Sequence, residues 1–281
     1  MTAPVPAARE RQPIAQRSPV TRALGRFGRY GSTVLADIGK RAYFARDLGR
    51  AFGEPGTWVP ETIRQMRMIG VGSLPLVIIV AAFLGAVTAF QTRFQLFGGV
   101  QLSVVGLIAR QSIVLELGPL LTGLVLTGRV GARMTAEIGT MRVTEQIDAL
   151  ETLAFDPVAY LALPRLLASL VMLPALTMLA NATALGSAYL TLILATDVTT
   201  ADYTAGLRLA FTPFQVVYSL IKATSYGWAI AFVCAYEGYV VSGAGAEGVG
   251  RSTAKAVVIA SVTILVFDGI IAALLAPFIQ A

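Results

Sequence analysis

Five long apolar stretches dominate this chain and limit what it can fold into. They cover roughly residues 71–90, 102–128, 161–195, 213–241 and 254–278. A helix needs about 20 apolar residues to cross the roughly 30 Å hydrocarbon core of a bilayer, and each stretch is at least that long. We therefore predict an all-α membrane protein with five transmembrane helices.

The charged residues suggest how these helices are oriented. Only 14% of the residues are charged and 56% are hydrophobic, whereas a soluble domain carries about 25% charge. Basic residues crowd the first quarter of the chain and two segments between spans; those in the segments are Arg129, Arg133, Arg142, Arg165, Arg251 and Lys255. Cytoplasmic segments are rich in Lys and Arg, so we expect the N-terminus in the cytoplasm and the C-terminus outside. Basic charge next to apolar spans indicates lipid headgroups as the partner and not nucleic acid.

The N-terminal region divides into two parts. Residues 1–20 are predicted to be a disordered tail. Residues 21–53 alternate apolar and basic positions at helical spacing, which is typical of an amphipathic helix in the membrane interface, with a break near Gly31. A soluble surface helix is the alternative. We take 21–65 as the interfacial region and 66–281 as the membrane domain.

Several kinds of chemistry are excluded by what the chain lacks. It has no histidine and one cysteine, Cys234, so His-based catalysis, His-ligated zinc and an internal disulfide are impossible. No P-loop motif occurs, and the G-x-G-x-x-G at residues 243–248 has no strand before it. We predict a protein that is not an enzyme and that needs no cofactor or metal.

The segments between the spans carry the more specific signals. Residues 144–151 (TEQIDALE) form a short amphipathic helix within a polar segment, 129–156, and suit docking to a soluble partner. An ordinary interfacial helix is the alternative. Residues 197–208 are interpreted as a polar loop and 242–250 as a glycine-rich loop.

A set of motifs resembles a known family. The motifs are Glu116-Leu-Gly-Pro119, Gly128-Arg129-Val-Gly131-Ala132, Ala136-Glu137-Ile-Gly139-Thr-Met-Arg142, Thr144-Glu145-Gln146, Asp156-Pro157, Pro164-Arg165, Gly238-Tyr239 and Gly248-Val-Gly250-Arg251-Ser-Thr253. From Met66 to the C-terminus the chain resembles the MlaE/YrbE-type permeases, which are the membrane subunits of MCE-linked lipid ABC transporters.

The resemblance implies a set of partners and a location. It implies a homodimer with two cytoplasmic ABC ATPases, an extracytoplasmic MCE-domain protein, and phospholipid as the substrate moved between envelope membranes. The location would be the bacterial inner (plasma) membrane. The ATPase-coupling residues would be Glu145, Gln146, Ile147, Asp148, Leu150 and Glu151. The family often has Arg where this chain has Leu115, and Arg110 on the same helix is a candidate substitute.

The resemblance also places a lipid cavity on the first two spans. The candidate lining residues are Leu84, Val87, Phe90, Gln91, Phe94, Leu115 and Glu116. Simple packing or lipid exposure is the alternative for the apolar members. Glu116 differs, because a carboxylate inside a span is costly and should face a cavity or a partner charge.

Two further lone charges lie inside the last two spans. Lys222 and Asp268 are each about 14–15 Å from the outer end of their span, at 1.5 Å per residue. Their equal depth and opposite sign predict an intramembrane ion pair. The alternative is two unrelated charges, one of which reaches the interface while the other faces a water-filled crevice.

Two other classes of function compete with a lipid ABC permease. An ion-driven secondary transporter is disfavoured because no inverted repeat and no intramembrane carboxylate cluster can be recognised in the sequence. A structural membrane scaffold is the third reading.

Overall fold

The computed structural model describes residues 36–53, 55–96, 101–241, 243 and 245–279. The chain forms two units, Met1–Asp47 and Leu48–Ala281. The predicted tail at 1–20 and the beginning of the predicted amphipathic helix lie outside the described residues. Residues 36–51 are helical (α1). Within the first unit, the Arg46 guanidinium lies 5.0 Å from the centre of the Tyr43 ring and 3.2 Å from a carboxylate oxygen of Asp47. The interfacial position of this helix stays a prediction.

The described part of the second unit is helical throughout its length apart from short connections. Its helices are α2 (Pro55–Gln95), α3 (Ser103–Val143), α4 (Gln146–Thr152), α5 (Val158–Ala195), α6 (Thr200–Arg208), α7 (Pro213–Tyr239) and α8 (Gly245–Ile279). Among the described residues, α2, α3, α5, α7 and α8 are long and apolar enough to cross a membrane. The predicted all-α fold with five membrane helices is confirmed.

Three of the predicted connecting segments are wrong because they are helical. Helix α3 continues to Val143, where the sequence analysis ended the span at residue 128, and α8 begins at Gly245 and not near 254. Residues 200–208 form α6 where a loop was predicted. A capping box explains α6: the Thr199 hydroxyl accepts from the Asp202 N–H, and the Asp202 carboxylate accepts from the Thr199 N–H.

Small residues bring the membrane helices close together. A Cβ added to Gly85 of α2 would lie 1.9 Å from the backbone oxygen of Ala184 in α5, so no larger side chain fits there. Nearby, the Ser187 hydroxyl donates to the Ala82 carbonyl at 2.6 Å. A Cβ added to Gly227 of α7 would lie 2.7 Å from the backbone oxygen of Ser169 in α5. Lipid gives no hydrophobic drive for helices to associate, so close packing of this kind holds the bundle together.

Helix α3 is interrupted by π-helical turns at Ser112–Leu117 and Thr127–Gly131. The first turn has a local cause. Pro119 has no N–H to donate, and the Gly118 N–H donates to the carbonyl of Ile113, five residues earlier. The turn changes the rotation of α3 at the level of Leu115 and Glu116. It therefore decides which neighbours these two side chains meet.

Candidate functional site

A buried lysine on α7 lies at the centre of a charged region inside the membrane spans. Lys222 has no exposed side-chain surface. Tyr218 and Tyr226 lie four residues before and after it, so all three occupy one face of α7, and both tyrosines are buried. A lysine at this depth is stable only when its charge is paired.

Two carboxylates from different helices pair with this lysine. The Lys222 Nζ lies 2.5 Å from Glu116 Oε2 on α3 and 2.8 Å from Asp268 Oδ1 on α8. The Tyr218 hydroxyl donates to Glu116 Oε1 at 3.2 Å, and the Tyr226 hydroxyl donates to Asp268 Oδ1 at 2.5 Å. We call Glu116, Lys222, Asp268, Tyr218 and Tyr226 the charged cluster.

The charged cluster extends what the sequence predicted. Spacing alone had matched Lys222 with Asp268, and the structure brings these two together. It adds Glu116, which the sequence analysis had assigned to the lipid cavity without naming its partner. The sequence shows no recognisable intramembrane carboxylate cluster, but in the fold two carboxylates contact one lysine. Among the described residues, no group of three His, Cys, Asp or Glu side chains could hold a metal.

The predicted cavity residues on α2 occupy one broad face of that helix. Val87, Phe90 and Phe94 are exposed, and the rings of the two phenylalanines stack with their centres 6.1 Å apart. Gln91 is also exposed, whereas Leu84 packs partly against the core. On α3, Leu115 is half-buried and the Glu116 side chain is 45% exposed while still contacting Lys222. The set thus combines an open apolar face with one edge of the charged cluster.

The predicted coupling residues lie on α4 and just before it. Glu145, Gln146 and Glu151 are exposed, and Leu150 is half-buried. Ile147 is fully buried, so it anchors α4 and cannot itself touch a partner. Asp148 is exposed but paired, with its Oδ1 2.7 Å from Arg142 Nη1. Glu145 has a φ of 58°, a left-handed conformation that turns the chain sharply between α3 and α4.

Ion pairs tie the helices together at the α4 end of the bundle, and sequence analysis did not find them. The buried Arg165 of α5 lies 3.1 Å from Glu137 Oε2 of α3 and donates to the Leu161 carbonyl at 2.6 Å. Arg133 contacts the other oxygen of Glu137 at 2.6 Å. Glu137 and Arg165 both belong to the motifs quoted above. The motifs therefore pair residues that are 28 positions apart.

Another ion pair joins the C-terminal end of α2 to Asp197, which lies two residues after α5. Arg93 Nε and Nη2 each lie 2.7 Å from one carboxylate oxygen of Asp197, which is a bidentate pair. The hydrogen bond from Arg93 holds the pKa of Asp197 below its usual value.

A tyrosine on α6 is held by a hydrogen bond to α5. Burial raises the pKa of Tyr203 to about 12, and its hydroxyl donates to the Leu185 carbonyl.

Comparison with known proteins identifies the family. A family model described as Permease MlaE matches residues 62–274. The chain belongs to the MlaE permease family. The resemblance of its motifs is confirmed, and the chain is a multi-pass permease subunit and not an enzyme.

Individual relatives of this MlaE-family permease come from bacteria and from a plant. A probable ABC transporter permease protein of Rickettsia prowazekii is 40% identical over 220 residues, which are 78% of this chain and 84% of the relative. The intermembrane phospholipid transport system permease protein MlaE of Haemophilus influenzae is 29% identical over 253 residues, 86% of this chain and 97% of the relative. The chloroplastic protein TRIGALACTOSYLDIACYLGLYCEROL 1 of Arabidopsis thaliana is 32% identical over 213 residues, 74% of this chain and 59% of the relative.

Proposed function

We propose that this chain is the permease subunit of an ABC transporter that moves phospholipids between membranes of the bacterial envelope, from a place in the inner membrane. The observation that carries the proposal is the family match over residues 62–274. It is supported by the relative from Haemophilus influenzae, whose name states intermembrane phospholipid transport and of which this chain covers nearly the whole length.

The partners follow from the same proposal. A second copy of this chain would meet the open apolar face of α2, and the two copies would enclose the cavity proposed around Val87, Phe94 and Glu116. Two cytoplasmic ATPases would dock on α4, and an MCE-domain protein would cover the opposite membrane face. Val87 and Phe94 are 64% and 81% exposed, which supports contact of this apolar face with lipid or with another subunit.

The role of α4 leads to a test by charge reversal. The exposed acids of α4 would face basic side chains of the ATPase. Glu145→Lys together with Asp148→Lys would therefore place like charges opposite each other, which costs several kcal/mol, and should weaken ATPase binding by about tenfold or more. The measurement is co-purification of the ATPase together with lipid-stimulated ATP hydrolysis. The matched control is Glu247→Lys, the same change on an exposed acid outside α4. Normal co-purification and normal lipid transfer in the double variant would contradict this role.

An ion-driven transporter is the second candidate, because the charged cluster resembles the carboxylate sites of proton-coupled carriers. The deciding experiment reconstitutes the complex in vesicles and follows transfer of a fluorescent phospholipid. We expect transfer to require ATP and the ATPase and to continue when a protonophore collapses the pH gradient. Transfer that runs on a pH gradient without the ATPase would refute the ABC proposal.

A further inference from the structure

Another buried cation, Arg110 on α3, has no negatively charged partner among the residues that the structure describes. Its side chain is 4% exposed. The guanidinium donates to the Gln215 side-chain oxygen and, at 2.8 Å, to the Leu209 carbonyl, and it lies 5.4 Å from the centre of the Phe211 ring. These two bonds use two of the five N–H groups of an arginine, and the buried Nε has no hydrogen-bond partner.

The missing partner matters because arginine stays charged when buried. In the part of the chain that the structure describes, no carboxylate lies within ion-pair distance of Arg110. Carbonyl and amide oxygens solvate the guanidinium but leave a full positive charge in a buried site, which is costly. By contrast, the other buried cations of the spans, Lys222 and Arg165, each contact a carboxylate. A bound anion would complete the site at Arg110.

A crevice of about 220 Å³ adjoins this guanidinium. It lies among α3, α5 and α7, and Arg110 lines it together with apolar side chains, including Val114, Met178 and Leu185. Met178 and Phe211, which also line the crevice, are exposed, so the crevice reaches the surface of the bundle. Arg110 is seven residues into α3, about 10 Å along the axis, and Leu209 belongs to the connection between α6 and α7. The charge therefore lies near the end of the spans, with apolar surface beside it.

We propose that Arg110 binds the phosphate of a phospholipid whose acyl chain enters this crevice. A guanidinium with unused N–H groups matches the geometry of a phosphate, and the apolar walls suit a hydrocarbon chain. The site lies within one copy of the chain and is separate from the cavity proposed on the α2 face. The choice of a phospholipid rests on the proposed function, whereas the need for an anion rests on Arg110 alone.

The test places a photo-crosslinking amino acid at Met178 in the full-length protein in nanodiscs. The control position is Val171, which is exposed on the same helix but does not line the crevice. The probes are phosphatidylglycerol and diacylglycerol with identical radiolabelled chains. We expect phosphatidylglycerol to label position 178 about tenfold more than diacylglycerol does, because a charge-assisted hydrogen bond is lost without the phosphate.

Variants of Arg110 identify the residue responsible. Arg110→Gln should reduce the phosphatidylglycerol adduct about tenfold, to the diacylglycerol level. Arg110→Lys should keep most of it, which also shows that the site still folds. Arg208→Gln removes an exposed arginine of α6 and should change nothing.

The outcomes separate the sources of the anion and the two proposals. Equal labelling by both lipids, or labelling unaffected by Arg110→Gln, overturns the site. If inorganic phosphate, at equal ionic strength, raises the melting temperature of the wild type but not of Arg110→Gln, and no lipid adduct forms, the anion is free phosphate and the lipid proposal is overturned. ATP-driven phospholipid transfer without the adduct refutes this site alone. An adduct without such transfer supports the site and refutes the proposed function.

Discussion

Replacing Lys222 by alanine should be among the most damaging single changes in the membrane spans. The lysine is completely buried between Glu116 and Asp268, so its removal leaves two carboxylates without their cation. Breaking one partner out of a buried ion pair costs about 3–5 kcal/mol. The Asp268 side chain is 19% exposed and that of Glu116 is 45% exposed, so Asp268 is the more deeply buried of the two carboxylates. We therefore expect the coupling of Lys222 to Asp268 to exceed its coupling to Glu116.

A double-mutant cycle measures this coupling. The free energy of unfolding is followed by titrating SDS into detergent micelles that hold the wild type, Lys222→Ala, Asp268→Ala and the double variant. The double variant should be about 1–3 kcal/mol more stable than the sum of the single losses implies. Lys222→Met is the control for volume, because it fills most of the space without charge and should be nearly as damaging as Lys222→Ala. Losses that add within about 0.5 kcal/mol would refute the pairing.

Three further changes test other parts of the structure. Gly85→Ala should lower the free energy of unfolding by about 1–3 kcal/mol, because the new Cβ would meet the backbone of Ala184. Gly186→Ala is the control, since its Cβ would meet nothing within 4 Å. Equal melting temperatures of the two variants would contradict this prediction. The Arg93–Asp197 pair should persist below the usual pKa of an aspartate and break only as the pH falls through the lowered pKa. Asp197→Asn should therefore reduce the fall of the melting temperature with decreasing pH in the acid range. A peptide of residues 20–53 should become helical on anionic vesicles and lose helicity in high salt; no gain on any vesicle would refute the interfacial assignment.

Two helical segments that are predicted as non-helical carry local signals of helix formation in the sequence. Residues 200–208 are predicted as a polar loop but form α6, and Thr199 and Asp202 have the spacing of a capping box. The extension of α3 beyond residue 128 contains Arg133 and Glu137, a favourable i,i+4 pair. The lower hydropathy beyond residue 128 therefore does not end the helix, which continues to Val143.

The partners of Lys222 and Arg110 differ in how much the sequence could reveal. Asp268 can be matched to Lys222 from the sequence because α7 and α8 are consecutive and antiparallel. The depth of each residue in the membrane then follows from the number of residues that separate it from the end of its span. Glu116 lies 106 positions from Lys222. The direction in which the Glu116 side chain points depends on the π-helical turn at Ser112–Leu117, since one extra residue in a turn rotates the helix that follows by about 100°. That no carboxylate of the described residues reaches Arg110 depends on every neighbouring helix at once.

The five membrane spans and, through the motifs, the family can be recognised from the sequence alone. Apolar transfer into a bilayer is a property of each stretch alone, so it can be summed along the chain. The tertiary structure decided which charges meet. Close contacts such as Gly85 against Ala184, together with the π-helical turns, set the depth and rotation of each helix. Contacts between side chains depend on those positions to within an ångström or so, and no local stretch of sequence encodes them.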